Sequence, residues 1–435
     1  MDTMSEPKKE QPKPNWWVLC LACAAVVLDG YDTVALGLSI PAITKDWGVQ
    51  PSQFTPALSL TSAGVALGYL AVGRLVARLG TRNVIFSAVV VFTLGSLLTA
   101  WSGSMVALTI LRFVTGLGLG AVLPAAVSHA TAVNPARLRQ SIAVVVMTGI
   151  SLGALIAGLA GSGIVGAFGW KWVFIIGATA SAVLLPFLWF GLSGSPVSGT
   201  PNDAAEAKHH ASVARLFDAP VRSRTLLLWA FSFLIFAVFY VFSSWLPTLL
   251  TSYGFSTGLA PLGSAALGIG SIIGACVLIL GSRRYRMTSV LAGTSAAAIA
   301  FLAISAFLGP DKALLLLVFG GVGLGLQAGM IGQAAVAVTL YPQGTLTAGV
   351  GWAASLGRLG SIVGPIFGGV LIGLGVHTSI IVLSVCVPVI IALVLALILG
   401  RITAAKARIP MSTHADSNVS TPGEIAPHRA ASDLA

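Results

Sequence analysis

Long apolar segments dominate this chain and leave few folds open to it. Twelve of them run for about 20 residues or more, the length a helix needs to cross about 30 Å of hydrocarbon. Of the 435 residues, 56% are hydrophobic and 9% are charged, a composition that does not keep a chain of this length soluble. We predict an all-α integral membrane protein whose transmembrane helices lie near residues 16–42, 56–76, 84–101, 105–131, 141–166, 171–192, 225–250, 258–280, 288–308, 313–340, 346–374 and 379–400.

Basic residues are distributed unevenly between the two sides of this predicted membrane protein. Lys45, Lys171 and Lys312 fall on one side, and the other Lys and Arg residues outside the segments fall on the side of the termini. Cytoplasmic loops carry the excess of such residues, so both termini are predicted to be cytoplasmic. The net charge of +11 is then a result of topology. It does not indicate nucleic-acid binding, because the charges are scattered over separate short loops.

Polar stretches divide the chain into five predicted regions. Residues 1–15 and 402–435 lack apolar periodicity and are predicted to be disordered cytoplasmic tails. Residues 194–224 form a cytoplasmic linker between an N-terminal six-helix bundle at 16–193 and a C-terminal one at 225–401. The first segment is too long, and too charged in its middle, for a cleaved signal peptide. We therefore expect it to remain in the mature protein.

The two apolar regions resemble each other when one is slid along the other. Many transporters are built from such repeats, with the binding site between them. The matched positions are Pro41, Gly64 and Gly68 with Pro247, Gly270 and Gly274; Gly116, Gly118 and Gly120 with Gly321, Gly323 and Gly325; and Gly149, Gly153 and Gly158 with Gly360, Gly364 and Gly369. Two pseudo-symmetric six-helix bundles are predicted.

Several short motifs are similar to those of one transporter superfamily. Residues 73–82 read GRLVARLGTR and residues 112–120 read RFVTGLGLG; both resemble signatures of the major facilitator superfamily. The strings LDGYDT at 28–33, WLPTLL at 245–250, YP at 341–342 and GVGWAASLGRLG at 349–360 resemble its aromatic acid:proton symporter family. The resemblance covers nearly all of residues 16–401.

This resemblance implies the major facilitator fold and a function. Members of the family carry benzoate-like acids inward across the bacterial inner membrane, so an aromatic carboxylate and protons are the implied partners, with the lipid bilayer around a monomer. No cofactor is implied. We found no phosphate loop, spaced metal-ligand set or nucleophile elbow, so the sequence does not indicate an enzyme.

Four charged residues lie inside the apolar segments: Asp29, Asp32, Arg112 and Arg358. An ionisable side chain at membrane depth costs at least about 2.5 kcal/mol and usually has a function. Asp29 and Asp32 are three residues apart and share one helix face. Burial and mutual repulsion favour the neutral form of a carboxylic acid, so we predict that they carry the proton as a coupled pair. The alternative is that both are permanently bonded to neighbouring donors.

The two arginines have different predicted roles. Arg112 lies at about the depth of Asp32 and could hold that acid ionised until protonation releases it; bonding to backbone carbonyls as a helix brace is the alternative. Arg358 is predicted to bind the substrate carboxylate, because a guanidinium donates two parallel hydrogen bonds and stays charged. Its alternative is a structural pairing with a helix end.

An aromatic acid also needs a flat apolar surface and partners for ring substituents. We predict that Tyr240, Trp245 and Trp352 contact the ring. Gln327 and Gln333 could bind a ring hydroxyl, or could form ordinary interhelical hydrogen bonds. His129 is predicted to be a satisfied interface residue, with a proton relay as the alternative.

Two other functions remain possible on this sequence. One is a proton-driven exporter of apolar compounds, and the other a membrane receptor that binds an aromatic acid without transporting it. The polar linker and tails are too short for an effector domain, which disfavours the receptor.

The chain departs from the family pattern at two cytoplasmic positions. An acid is usual where Ala77 stands, and an arginine is usual where Leu346 stands. An acid at position 77 could meet an arginine at 346 and the positive end of the eleventh helix. We therefore predict that the cytoplasmic gate is held by apolar contacts here, with independent drift as the alternative.

Overall fold

The computed structural model describes residues 14–192, 216–217, 219–307, 311–341 and 343–407. Within them the regular structure is helical. The helices are α1 (Trp16–Trp47), α2 (Thr55–Leu79), α3 (Thr81–Thr99), α4 (Met105–Ala132), α5 (Arg139–Ala167), α6 (Lys171–Gly191), α7 (Ala219–Ser252), α8 (Leu262–Ser282), α9 (Met287–Phe307), α10 (Lys312–Leu340), α11 (Gln343–Gly373), α12 (Thr378–Ser384) and α13 (Cys386–Ala407).

Local sequence signals fix several of these helix ends. The side chains of Asn15, Ser104 and Asp311 each accept a hydrogen bond from a backbone N–H in the first turn of α1, α4 and α10, which satisfies a donor that the helix itself cannot. Gly48 ends α1 in the left-handed conformation at φ 66°, where a side chain would be strained.

Twelve spans are long and apolar enough to cross a membrane, with α12 and α13 forming the last one together. This confirms the predicted fold class. Helix α7 begins at Ala219, so it extends into the stretch predicted to be linker. The rest of that linker and most of both tails lie outside the described residues, and the region boundaries there stay predictions.

The N-terminal half (α1–α6) and the C-terminal half (α7–α13) use the same helix pairs for their cores. Helix α1 packs on α5, and α2 and α3 pack on α4; in the other half α7 packs on α11, and α8 and α9 pack on α10. Each half has its own buried apolar residues, such as Val26 and Val122 in one and Ile235 and Val322 in the other. The two halves are pseudo-symmetric, as predicted.

Backbone contacts at glycines correct the predicted register between the halves. Gly64 on α2 faces the Phe113 carbonyl and Leu117 on α4, and its counterpart Gly270 faces the Gly320 carbonyl and Leu324 on α10. The sequence match of α4 to α10 was therefore wrong by two residues.

Helix α5 shows a larger shift. Gly153 faces the Val27 carbonyl, and Gly360 on α11 faces the equivalent Phe233 carbonyl, so Gly153 corresponds to Gly360 and the predicted match was wrong by one helical turn. Glycines recur so regularly in these segments that a shifted alignment matches nearly as many of them.

The two halves meet closely on the side of the molecule opposite to the termini. A Cβ atom at Gly37 would lie 2.7 Å from the Ser244 carbonyl oxygen, and one at Gly158 would collide with the backbone of Ala265. Gly369 on α11 likewise abuts Thr55 at the start of α2. Small residues thus bring the backbones of the two halves into direct contact there.

Candidate functional site

A cavity of about 120 Å³ lies between the two halves at mid-height. Helices α1, α4 and α5 line it from the N-terminal half, and α7, α8, α10 and α11 from the C-terminal half. Its wall is mostly apolar and includes the rings of Phe236 and Phe239, with Arg358 as its charged lining residue. The volume is below the roughly 300–1,000 Å³ of pockets for drug-sized ligands, so this cavity suits a compound with a single ring.

Arg358 lies half-way along α11 and reaches the cavity half-buried. Its Nη1 donates a hydrogen bond of 3.3 Å to the hydroxyl oxygen of Tyr240, and its guanidinium carbon lies 5.2 Å from the centre of the Tyr69 ring. Among the described residues Arg358 forms no ion pair. The guanidinium is held between two aromatic residues. Its other N–H groups can still donate hydrogen bonds to a carboxylate.

Arg112 and Asp32 form an ion pair inside the N-terminal half, away from the cavity lining. Nη2 of Arg112 lies 3.0 Å from Oδ2 of Asp32 and donates to the Asp32 backbone carbonyl at 3.2 Å. Ser96 donates to the other carboxylate oxygen, and the ring of Phe174 lies 5.8 Å from the guanidinium carbon. Arg112 is fully buried. Arg112 therefore binds both the Asp32 carboxylate and a backbone carbonyl, and its predicted release on protonation stays a prediction.

Asp29 has very different surroundings, although it is one helical turn away from Asp32. It is buried, and the hydrogen bond it accepts among the described residues is a long one of 3.4 Å from Thr33. The strongest positive charge acting on it is Arg358 of the opposite half. One member of the predicted pair is thus firmly bound to an arginine, and the other is a buried carboxyl group without a close partner.

The remaining predicted site residues divide between the cavity and the helix interfaces. Gln327 and Tyr240 line the cavity. Trp245 does not, because it is fully buried and its indole N–H donates to the Pro365 carbonyl at 2.9 Å. Trp352 stacks on Trp229 with ring centres 5.7 Å apart.

The last two polar candidates also lie outside the cavity lining. Gln333 accepts a hydrogen bond of 2.6 Å from Ser232 on α7, which is the interhelical bond considered for it. His129 is buried within the N-terminal half, and its Nε2 has no hydrogen-bond partner in the described part of the chain.

Sequence reasoning missed Tyr69, Phe236, Phe239 and Ser96. Tyr69 is the single tyrosine in the second apolar segment, which was a usable signal. The two phenylalanines belong to a run of aromatic residues on α7, and the sequence does not show which of them face inward. Ser96 looks like any other serine in a transmembrane helix.

Known proteins resemble the chain over most of its length. It matches the Major Facilitator Superfamily over residues 22–331. It is 31% identical over 392 residues to the 4-hydroxybenzoate transporter PcaK of Pseudomonas aeruginosa, covering 83% of this chain and 87% of that protein. It is 29% identical over 388 residues to a gallate transporter of Pseudomonas putida, covering 83% and 86%.

The chain belongs to the major facilitator superfamily. Its curated relatives within that superfamily are named as transporters of aromatic acids, so the resemblance read from the sequence is confirmed. The D-xylose-proton symporter has the same fold, with a TM-score of 0.70, 16% identity and coverage of 90% of this chain and 98% of that one. As a member of the superfamily with twelve spans, the chain is a multi-pass membrane protein.

Proposed function

We propose that this protein is a secondary transporter that imports an aromatic carboxylate of the benzoate or hydroxybenzoate type together with a proton, by alternating access. It works as a monomer in the bacterial inner membrane, with both termini in the cytoplasm. The observation that carries the proposal is Arg358, an arginine that forms no ion pair among the described residues and lines a small, mainly apolar cavity between the two halves. The names of the relatives support the same substrate class.

Arg358 and the aromatic side chains suit the two ends of such a substrate. The guanidinium can bind the carboxylate through two N–H groups, and the Tyr240 hydroxyl, now bonded to Arg358, is close enough to act as a further donor. The rings of Phe236 and Phe239 in the wall can pack against the ring of the substrate. A transporter of uncharged apolar compounds would gain nothing from a charge in this position.

Asp29 is the proposed proton carrier. A positive charge such as that of Arg358 favours the ionised form of a nearby carboxyl group. A substrate carboxylate on Arg358 would compensate that charge, so a buried acid without a close partner would then take up a proton. Substrate and proton thereby bind together. The Asp32–Arg112 pair keeps its charges throughout and holds α1 against α4.

The contacts between the halves support alternating access. The close glycine contacts of Gly37 and Gly158 lie on the side opposite to the termini, which the distribution of Lys and Arg places outside the cytoplasm. This conformation is then closed to the outside. The predicted gate at Ala77 and Leu346 stays a prediction, because the side chain of Leu346 lies outside the described residues.

Uptake into proteoliposomes tests the proposal. The unaltered protein should accumulate 4-hydroxybenzoate against its gradient when the interior is more alkaline, by up to about tenfold for one pH unit and one proton. Asp29→Asn should lose this accumulation and keep substrate exchange, because an amide imitates only the protonated acid. Asp46→Asn is the control, since Asp46 is an exposed residue that bonds Trp170 at the surface. Normal accumulation in Asp29→Asn would rule out Asp29 as the carrier.

A further inference from the structure

Two serines of α8 line the cavity with unpaired hydroxyl groups. Ser264 and Ser271 are 3% and 2% exposed, and both belong to the cavity wall. Neither hydroxyl has a hydrogen-bond partner within the described residues. A buried hydroxyl without a partner costs about 1–3 kcal/mol, and most such groups in proteins are paired. These two hydroxyl groups are therefore candidates for binding a ligand in the cavity.

Several other buried hydroxyls in the helices of this protein satisfy themselves locally, whereas Ser59, Thr93, Thr248 and Ser295 are unpaired among the described residues but do not line the cavity. Ser39 donates to the Ala35 carbonyl at 2.7 Å, Thr61 to the Ala57 carbonyl at 2.6 Å, and Ser232 to the Leu228 carbonyl at 2.8 Å. This bond to the preceding turn is the usual choice for serine and threonine in a transmembrane helix. Ser264 and Ser271 do not make it, so their hydroxyl groups are free to bind a ligand.

The two serines form one wall of the cavity with Gln327. They are seven residues apart, so they lie on one face of α8 about two turns from each other. Gln327 lines the same cavity from α10, the helix on which α8 packs. Arg358 and Tyr240 enter the cavity from α11 and α7. The polar wall is thus separate from the site proposed for the carboxylate.

We propose that one of these two serines, together with Gln327, binds a phenolic hydroxyl on the substrate ring, so that the protein prefers hydroxylated benzoates to benzoate. This inference rests on the proposed function. A phenolic hydroxyl both donates and accepts, and so do the serine hydroxyls and the glutamine amide. An unsubstituted ring would leave the two serines unpaired in a dry site, and sites of this kind discriminate strongly against an analogue that lacks the hydroxyl.

Binding to the purified protein tests this inference. The measured quantity is the ratio of the affinities for 3- or 4-hydroxybenzoate and for benzoate, each determined by competition against one labelled acid. Either Ser264→Ala or Ser271→Ala should lower that ratio by about 5- to 30-fold, because one ring hydroxyl reaches only one of two serines that lie two helical turns apart. Benzoate itself should bind as well as before or more tightly, because the alanine leaves no unpaired hydroxyl next to its ring.

Ser295→Ala is the matched control. Ser295 is also fully buried and unpaired among the described residues, but it lies on α9 outside the cavity lining. Its replacement should leave the ratio unchanged. Thermal unfolding in detergent reports whether each variant is folded. Ser271→Cys, which keeps the side-chain size and weakens the hydrogen bond, replaces an alanine variant that does not fold.

The possible outcomes separate the two proposals. Binding of aromatic acids with an unchanged ratio in Ser264→Ala and Ser271→Ala would overturn the role of the serines and leave the proposed function intact. An equal loss of benzoate and hydroxybenzoate affinity in folded variants would also overturn it. Failure of the unaltered protein to bind any of these acids would overturn the proposed function and this inference together.

Discussion

The two halves of the protein have the same packing and different buried chemistry. In the register fixed by the glycine contacts, the charged cluster of the N-terminal half corresponds to four apolar residues of the C-terminal half. Asp29, Asp32, Ser96 and Arg112 correspond in order to Ile235, Val238, Leu302 and Phe319, and all eight residues are buried. The shared fold therefore does not require the charges, which supports a functional reason for them.

At the cavity it is the C-terminal half that supplies the charged residue. Arg358 and Tyr240 of the C-terminal half correspond to Ser151 and Val34 of the N-terminal half, and all four line the same cavity. One half thus has the buried acids, and the other has the positive charge that faces the ligand. This distribution agrees with the proposed function, in which the N-terminal half carries the proton and the C-terminal half binds the substrate.

The largest expected effect comes from giving the N-terminal half an apolar residue of the other half. Arg112→Phe leaves the Asp32 carboxylate buried without its partner, so we expect the free energy of unfolding to fall by about 3–5 kcal/mol. Thermal unfolding in detergent measures the loss. Arg222→Phe, at an exposed arginine near the start of α7, is the control and should change stability little.

Asp32→Val combined with Arg112→Phe completes this test. The C-terminal half packs Val238 and Phe319 at these positions, so the double variant should recover most of the stability that the single variant loses. If the double variant is as unstable as Arg112→Phe alone, the two halves are less equivalent than the glycine register indicates.

A smaller effect is expected at the ligand-facing arginine. Arg358→Lys keeps the charge and loses the planar fork, so the affinity for benzoate should fall by about 1.5–3 kcal/mol, the scale of a charge-assisted hydrogen bond. Equilibrium binding to purified protein measures it. Arg401→Lys, at an exposed site on α13, should bind normally. An unchanged affinity in Arg358→Lys would place the carboxylate elsewhere.

The smallest effect is expected at Tyr240. Tyr240→Phe removes the hydroxyl that accepts from Arg358 and keeps the ring, so benzoate affinity should fall by about 0.5–1.5 kcal/mol. The same binding assay applies, with Tyr285→Phe at an exposed tyrosine as the control. A loss as large as that of Arg358→Lys would mean that the tyrosine contributes as much to carboxylate binding as the arginine does.

Much of the fold could be predicted from the sequence, because the apolar segments have the length that a membrane requires and the basic residues mark its sides. The register between the halves could not. Gly116, Gly118 and Gly120 all fall on glycines when paired with Gly321, Gly323 and Gly325, whereas the register of the structure pairs Gly120 with Gln327. Only the carbonyl that each glycine faces identifies its counterpart.

The site was predictable where a residue type is rare at membrane depth. Asp29, Asp32, Arg112 and Arg358 stand out for that reason, and the structure places all of them in or next to the central region. The environment of each acid was not predictable, since it depends on which neighbouring helix supplies an arginine. The prediction for Trp245 failed because a tryptophan suits an apolar helix interface as well as a cavity wall.

The neighbourhood of Asp29 and Arg358 has an electrical consequence. If Asp29 is ionised before the substrate binds, its charge and that of Arg358 cancel, and the buried Asp32–Arg112 pair is neutral in sum as well. If one carboxylate and one proton bind as proposed, the occupied cavity is neutral in sum as well. Moving one elementary charge across the membrane is worth about 2.3 kcal/mol per 100 mV, and neither form would carry one. Such a cycle would draw no energy from the membrane voltage, and the difference in proton concentration alone would set how far the acid accumulates in the cell.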